Sequence, residues 1–241
     1  MGEEFPNSAM ETFGSYSYQC HLPCSDIDIV VILGPGQSPP KFLCRLATWV
    51  ASGGPFTAQR RYNQDDCLQT EFMHMPVDIK PIKHSRTSDL MCRSTDCLRH
   101  MIAQRQCREP DFEKKHQAII IFKLLCHYLH VVQHHGQERH GSFKSITLCY
   151  WALAVLEGMP CAGKEVGDVV FILCQKFCAF RWRHWQVTAS VAGDIRVRQR
   201  EQDLTGVVCI MFDKSNSTTN VTEAHLKNSL NAIKWGHPEI V

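Results

Sequence analysis

The 241-residue chain is poor in the features that would take it out of the ordinary globular classes. No apolar run approaches the roughly 20 residues of a membrane span. Met1–Glu11 lacks the basic-then-apolar plan of a secretory leader. Net charge is only +2, so capture of a polyanion by overall charge is excluded and any nucleic-acid contact must be a local patch. There is no internal repeat and no low-complexity segment. Among thirteen cysteines there is no CxxC pair. Cys20/Cys24, Cys174/Cys178 and the histidines at 134, 135 and 140 give no four-ligand zinc set of recognisable spacing. Without a leader, these thiols read as reduced, and most of them as small buried hydrophobes. What is present, 44% apolar and 21% charged residues, is globular composition. The expectation is a soluble intracellular protein of the nucleus or cytoplasm, with no membrane association.

The organisation follows from periodicity and turn residues. Residues 28–34 are a β-branched run stopped by Gly34-Pro35-Gly36, a buried strand with a hard end. Pro39-Pro40 opens a helical stretch from Phe42 to Val50, closed by Gly53-Gly54-Pro55. Strand-like runs follow at 57–62 and 68–79; in the second, Met73, Met75, Val77 and Ile79 share one face and Phe72, His74, Pro76 and Asp78 the other. Beyond about residue 93 the patterns are mostly helical. Ser94-Thr95-Asp96 is a candidate cap for a helix through Gln106, and Pro110-Asp111 opens a longer helix to about Val132. Helical stretches at 143–156, 166–180 and 222–235 follow, with short strands at 195–200 and 207–212. The predicted class is α/β (α+β): a small mixed sheet, then a mainly helical part.

One constellation carries chemistry. Gly14-Ser15 is followed after ten residues by Asp26-Ile27-Asp28 at the mouth of the first buried strand. Aspartates at i and i+2 on a strand point to one side, so their carboxylates can converge on a cation. Magnesium prefers oxygen ligands and is typically held by one or two carboxylates plus substrate phosphates. A Gly-Ser turn offers backbone N–H groups and a hydroxyl at close approach to a phosphate. A third carboxylate on a neighbouring strand would complete a two-metal site.

The stretch Gly14 to Val31, and above all Leu22-Pro23-Cys24-Ser25-Asp26-Ile27-Asp28, resembles the signature of polymerase-β-type nucleotidyltransferases. Within them it is most similar to the DNA-polymerase-sigma group, the noncanonical poly(A) polymerases and terminal uridylyltransferases. Further along, Ile119-Ile120-Ile121-Phe122-Lys123 resembles the family's apolar helix with its triphosphate-binding lysine. Gly141–Leu148 resembles its Gly-Leu-Ser-Ser-Tyr-Ala-Leu segment, and Cys209 through Val221, with Asp213, its C-terminal Ile-x-Asp-Pro element. The resemblance implies a catalytic nucleotidyltransferase domain over residues 1–93 and a helical central domain over 94–241. It implies template-independent addition of AMP or UMP to an RNA 3′ end, with magnesium (or manganese) as cofactor. Asp26, Asp28 and a third acid would hold metal, Gly14 and Ser15 would position phosphates, and Lys123, His127 and Ser145 would bind the triphosphate.

Two positions compete for the third acid. Asp78, in Val77-Asp78-Ile79, has the alternating flanks of a strand-borne ligand; Asp89 stands at a distance from Lys123 that fits the family pattern. Asp78 is preferred. His116, Lys123, His127, His130 and His134 fall on one helical face, which predicts a basic stripe opposite an apolar one. An imidazole, whose charge changes near neutral pH, stands at 127 where the family often has a second basic residue. Ile146 stands where the family usually has a base-stacking tyrosine, leaving Tyr150 as a possible substitute ring.

For RNA, Arg181-Trp182-Arg183-His184-Trp185 and the arginines at 196, 198 and 200 are candidate contacts. No separate RNA-binding module is recognisable, so a protein partner is a candidate for supplying RNA selection. Twelve residues precede Phe13, whereas the family normally contributes an N-terminal helical segment to its second domain; the expectation is a chain minimal or truncated at its start, its helical part closing with less material or with help from a partner. Three functions stand: an RNA 3′-terminal transferase preferring ATP, with UTP second; a silent scaffold of an RNA-processing complex; and a second-messenger synthase, against which the Leu-Pro-x-Ser stretch argues.

Overall fold

In the computed structural model, the structure describes residues 5–53, 55–61, 67–83, 90–132, 143–190, 194–200, 210–212, 215–216 and 221–236. Asp89, His134, His135, His140, Gly141, Cys209, Asp213 and Asn220 lie outside the described residues. The chain divides into two compact units, Met1–Asp96 and Cys97–Val241.

The first unit is built on a five-stranded mixed sheet of order β1-β2-β5-β4-β3. Its strands are β1 (Ala9–Phe13), β2 (Ile27–Leu33), β3 (Phe56–Arg61), β4 (Leu68–Phe72) and β5 (Met75–Lys83). Between the first two lies a single helical turn, α1 (Gly14–Ser17), and after β2 comes α2 (Pro39–Ala51). Prolines at the start of α2 cost nothing there, because the first N–H groups of a helix have no intrahelical partner. Phe42, Leu43, Leu46 and Val50 of α2 are buried against Val31 and Leu33 of β2, Leu68 of β4, and Val77 and Ile79 of β5. The opposite face of β2 carries Asp28, Val30 and Ile32, and there Val30 packs with Phe13, Ile82 and Cys92. Strand alternation thus sends the odd-numbered residues of β2 into the core under α2 and its even-numbered ones to the face that bears the aspartates.

The run at 68–79 is two strands and not one. Met73 and His74 both take positive φ, 49° and 66°, and turn β4 back onto β5 with Phe72 paired to Met75. Two central residues of positive φ define the tight turn whose twist matches antiparallel strands; glycine and asparagine are its usual occupants, and their absence hid it. β1 also had no clear signal, because four of its five residues are exposed and only Phe13 is buried.

The second unit contains α4 (Phe112–Tyr128), α5 (Ser145–Val155), α6 (Val166–Ala179) and α7 (Glu223–Gly236). Its sheet, of order β7-β6-β8-β9, is made of β6 (Trp185–Ala189), β7 (Ile195–Gln199), β8 (Ile210–Phe212) and β9 (Ser215–Asn216). The helix α3 (Leu90–Arg108) precedes α4 and runs through the division. Ser94-Thr95-Asp96 therefore lies inside a helix instead of capping one, and Ser94 and Thr95 are buried there. The core of this unit is aromatic: Phe122, Phe143, Trp151, Phe177 and Trp182 stack with ring centroids 5.0–5.7 Å apart. Beside it, Glu109 pairs with both Arg105 and Lys115, and Arg105 also with Glu157, so two buried cations have anionic partners. Among the described residues, no helix is long and apolar enough to cross a membrane.

Candidate functional site

The site is built by register. β2 and β5 run parallel with Asp28 opposite Asp78, and Asp26 precedes β2 by one residue. The i, i+2 spacing puts Asp26 and Asp28 on the same side, and the ladder brings Asp78 to that side from the next strand. One carboxylate oxygen from each of Asp26, Asp28 and Asp78 lies within 4.8 Å of the other two. All three residues are half-buried. Three anionic groups so close repel one another unless a cation stands among them.

The antiparallel pairing of β1 with β2 sets Phe13 opposite Asp28, and the chain then turns at Gly14 with φ +65°. A Cβ on Gly14 would lie 1.9 Å from Asp28 Oδ2, so only glycine lets the backbone pass over that carboxylate. Ser15 is buried beside it, and its carbonyl accepts the Cys20 N–H at 3.0 Å. Ser17 Oγ donates to the Gly14 carbonyl at 2.8 Å. The loop to Asp26 is equally fixed: the Leu22 N–H donates to Ser25 Oγ at 2.8 Å, the Ser25 N–H donates to the Leu22 carbonyl at 2.9 Å, and Tyr16 stacks on His21 at 4.3 Å. This is why Leu-Pro-x-Ser precedes the acids: the hydroxyl closes a tight turn that delivers Asp26 to the strand mouth.

Sequence reasoning missed Gln69. It lies opposite Asp78 in the β4–β5 pair, and its Nε2 donates to Asp78 Oδ2 at 3.2 Å. The signal would have been the hairpin itself, since counting back from the Met73-His74 turn pairs 69 with 78. The donor set fits a hard divalent cation: carboxylate oxygens converge, one of them is oriented by an amide, and the missing side chain at 14 leaves the Asp28 carboxylate its place.

The other predicted residues belong to the second unit. Lys123 is buried in α4 at 2% exposure, and His116 is buried and stacks on Phe112. Two members of the predicted stripe, His116 and Lys123, thus face inward. The exposed side of α4 is Glu113, Gln117, Ile121, Leu124 and Tyr128. Periodicity does not say which of two faces the rest of the fold covers. His127 is half-buried in the last turn, and His130, exposed with φ 56°, lies past the helix end. Ser145 is the first residue of α5, after Lys144 as N-cap, and its buried Oγ has no hydrogen-bond partner among the described residues. A hydroxyl in the first turn of a helix, near free N–H groups, suits an anion. Ile146 is half-buried, and Tyr150 is inside the core at 2% exposure, so neither presents a ring on the surface of α5.

The basic-aromatic cluster separates in the same way. Trp182 is core, 4% exposed, and its Nε1 donates to the Phe177 carbonyl. Arg183 pairs with Glu223 at 2.6 Å. Arg181 and Trp185 remain at the surface.

The architecture is that of the nucleotidyltransferase fold. No protein-family model and no curated protein matches the chain. Solved structures do. The chain superposes on mtPAP in complex with GTP with a TM-score of 0.74 at 11% identity, over 97% of this chain and 59% of that one. It superposes on the polymerase core of TRAMP, an RNA surveillance complex, with a TM-score of 0.69 at 15% identity, over 98% and 73%. For Cid1, described for its RNA terminal uridylyl transferase activity, the TM-score is 0.67 at 14% identity, over 97% and 82%. The chain therefore spans about 60% of the length of mtPAP, and what it shares with all three is the polymerase-β-type fold of poly(A) polymerases and uridylyltransferases.

Proposed function

We propose that the chain is a template-independent RNA 3′-terminal nucleotidyltransferase, adding AMP, or UMP as the alternative, from the nucleoside triphosphate and releasing pyrophosphate. The observation that carries this reading is the convergence of Asp26, Asp28 and Asp78 beside the Gly14 turn. On this reading residues 1–93 are the catalytic domain and 94–241 the helical domain. Asp26, Asp28 and Asp78 would hold magnesium or manganese. A divalent ion held there would supply a lowered pKa for an attacking hydroxyl and positive charge for the leaving pyrophosphate. The protein's own contributions are positional. Gly14 admits backbone to the phosphates, Ser15 offers its hydroxyl, and Gln69 fixes the Asp78 carboxylate. His127 and the Ser145 hydroxyl would serve the triphosphate, and Lys123, buried at 2% exposure, would join them only where nucleotide binding exposes it. The RNA 3′-hydroxyl would attack the α-phosphorus, its proton passing to solvent water, and the bond to the bridging oxygen of pyrophosphate would break, releasing pyrophosphate.

The experiment is extension of a labelled oligoadenylate primer with magnesium and each of the four nucleoside triphosphates separately. A ladder with ATP is expected, and none from the Asp26→Ala/Asp28→Ala double variant. Residual extension by that variant would sink the assignment. A second reading, a silent subunit of an RNA-processing complex, draws on Ile146 and the burial of Tyr150, which leave α5 without a stacking ring at either position. Its signature is no ladder together with no magnesium-dependent thermal stabilisation by any nucleoside triphosphate.

A further inference from the structure

A small cavity of about 260 Å³ opens on the second unit, lined by Ala179, Phe180, Arg181, Trp185 and Val197. It is smaller than the roughly 300–1,000 Å³ of typical small-molecule sites and holds one flat ring better than a whole ligand. Trp185 is 40% exposed, whereas Trp151 and Trp182 of the same unit are buried, and Phe180 is held with its ring 4.6 Å from that of Trp182. The Arg181 side chain stands exposed on the same rim.

The charge around the cavity points to its occupant. Residues 181–200 carry five arginines and one aspartate, in a chain whose net charge is only +2. Arg196 and Arg198 are exposed on β7, the last strand in the sheet order, directly beside Val197 of the cavity wall. They pair across to Thr188 and Gln186 and so project to the face of the strand opposite Val197. Arginines on an outer strand also block unwanted strand pairing, but that role explains neither the exposed indole nor the cavity. An indole and a phenyl for stacking, with the Arg181 guanidinium on the same rim, match a flat base next to a phosphate.

We infer that this cavity is a second contact for single-stranded RNA, holding one unstacked base on Trp185 and Phe180 while Arg181 takes a flanking phosphate. The inference rests on the reading of the protein as an RNA-modifying enzyme. It adds a binding site on the unit that does not carry the aspartates, and base stacking there is tolerant of sequence.

The test is anisotropy of a fluorescein-labelled 15-mer oligoadenylate in EDTA, where metal-dependent contacts are absent. Trp185→Ala should weaken binding by about 5- to 150-fold, the range expected for losing one stacked base. Trp185→Phe should keep most of the affinity and lose the quenching of indole fluorescence that accompanies binding in the wild type. Arg181→Ala should lower the slope of log affinity against log salt by about 0.7, one phosphate contact to a single strand. Wild-type affinity in a Trp185→Ala protein with an unchanged melting curve overturns the inference and gives the surface to some other partner, a protein included. Wild-type protein that is stabilised by magnesium and ATP yet binds no 15-mer overturns this site alone. Binding through Trp185 without any primer extension keeps the site and removes the transferase reading.

Discussion

Gly14 and Asp28 occupy almost the same space: the backbone of one passes so near the carboxylate of the other that a methyl group at 14 would overlap Asp28 Oδ2. The two are tied by β1–β2 pairing, which sets Phe13 opposite Asp28 and leaves the next residue to cross over it. Any side chain at 14 must displace the carboxylate or the turn. It must also accept φ +65°, which costs an L-residue about 1–2 kcal/mol. Gly14→Ala is expected to reduce metal affinity at least as much as loss of a supporting contact does, about 10- to 100-fold. Manganese binding followed by electron paramagnetic resonance reads this directly; unchanged affinity would show that the turn has no part in the metal site.

Gln69→Leu keeps the volume of the side chain and removes the donor to Asp78 Oδ2. Freed of that bond, the carboxylate loses its fixed orientation, and a loss of about tenfold or more in manganese affinity is expected. Gln69 is only partly buried, so the melting temperature should change little. A large fall in Tm with metal binding intact would make Gln69 a structural residue only.

Asp28→Asn is expected to raise the melting temperature in EDTA, because it removes one of three mutually repelling charges within 4.8 Å. The same variant should lose the further rise that magnesium and ATP give the wild type, since a ligand stabilises only the state it binds. Thermal melts with and without ligand give both signs, and a variant less stable than wild type in EDTA contradicts the repulsion argument.

Burial pushes the Cys174 thiol from 9.0 up to about 12, and the neighbouring Cys178 adds to the shift. Burial also raises the Cys126 thiol, with Cys174 and Cys149 nearby. A thiol with a raised folded-state pKa holds its proton in the folded protein while the unfolded chain releases it. Stability from this source is complete below about pH 9 and is lost as pH rises toward 12. Melting temperature should therefore fall over that window, and Cys174→Ala should flatten the fall. An identical pH slope in the variant would assign the alkaline loss to other groups.

Two tryptophans three residues apart should behave oppositely. Trp182→Ala opens the aromatic core and should cost about 3–5 kcal/mol, as large-to-small changes at buried aromatics do. Trp185→Ala should change stability by less than about 1 kcal/mol, because its ring is already 40% exposed. Urea unfolding of both variants makes the comparison; equal losses would mean that Trp185 belongs to the core.

What was legible in the sequence was what is local. Asp26 and Asp28 are two residues apart, their strand follows at once, and Gly14-Ser15 is close in the chain, so alternation and turn chemistry suffice to bring them together. Asp78 was legible for a similar reason: its flanks alternate. Gln69 was not, because its partner is set by a hairpin turn made from methionine and histidine, which carry no turn signal. The α4 stripe shows the other limit. The helical repeat placed His116 and Lys123 on one face, yet their burial is decided by which helices pack there, and the apolar Ile121 and Leu124 are left outside. The cluster at 181–185 likewise gave composition without sidedness, so that a core ring and a surface ring looked alike.

The pairing of Asp28 with Asp78 has a kinetic consequence. Their strands are parallel and fifty residues apart in the chain, so the ladder forms only after α2, β3 and β4 have been laid between them. Such non-local pairing is slow, and a slip of one residue would turn Asp78 to the opposite face. Competence to bind a divalent ion should thus lag behind the recovery of helix during refolding, and its time course would follow the closing of the sheet.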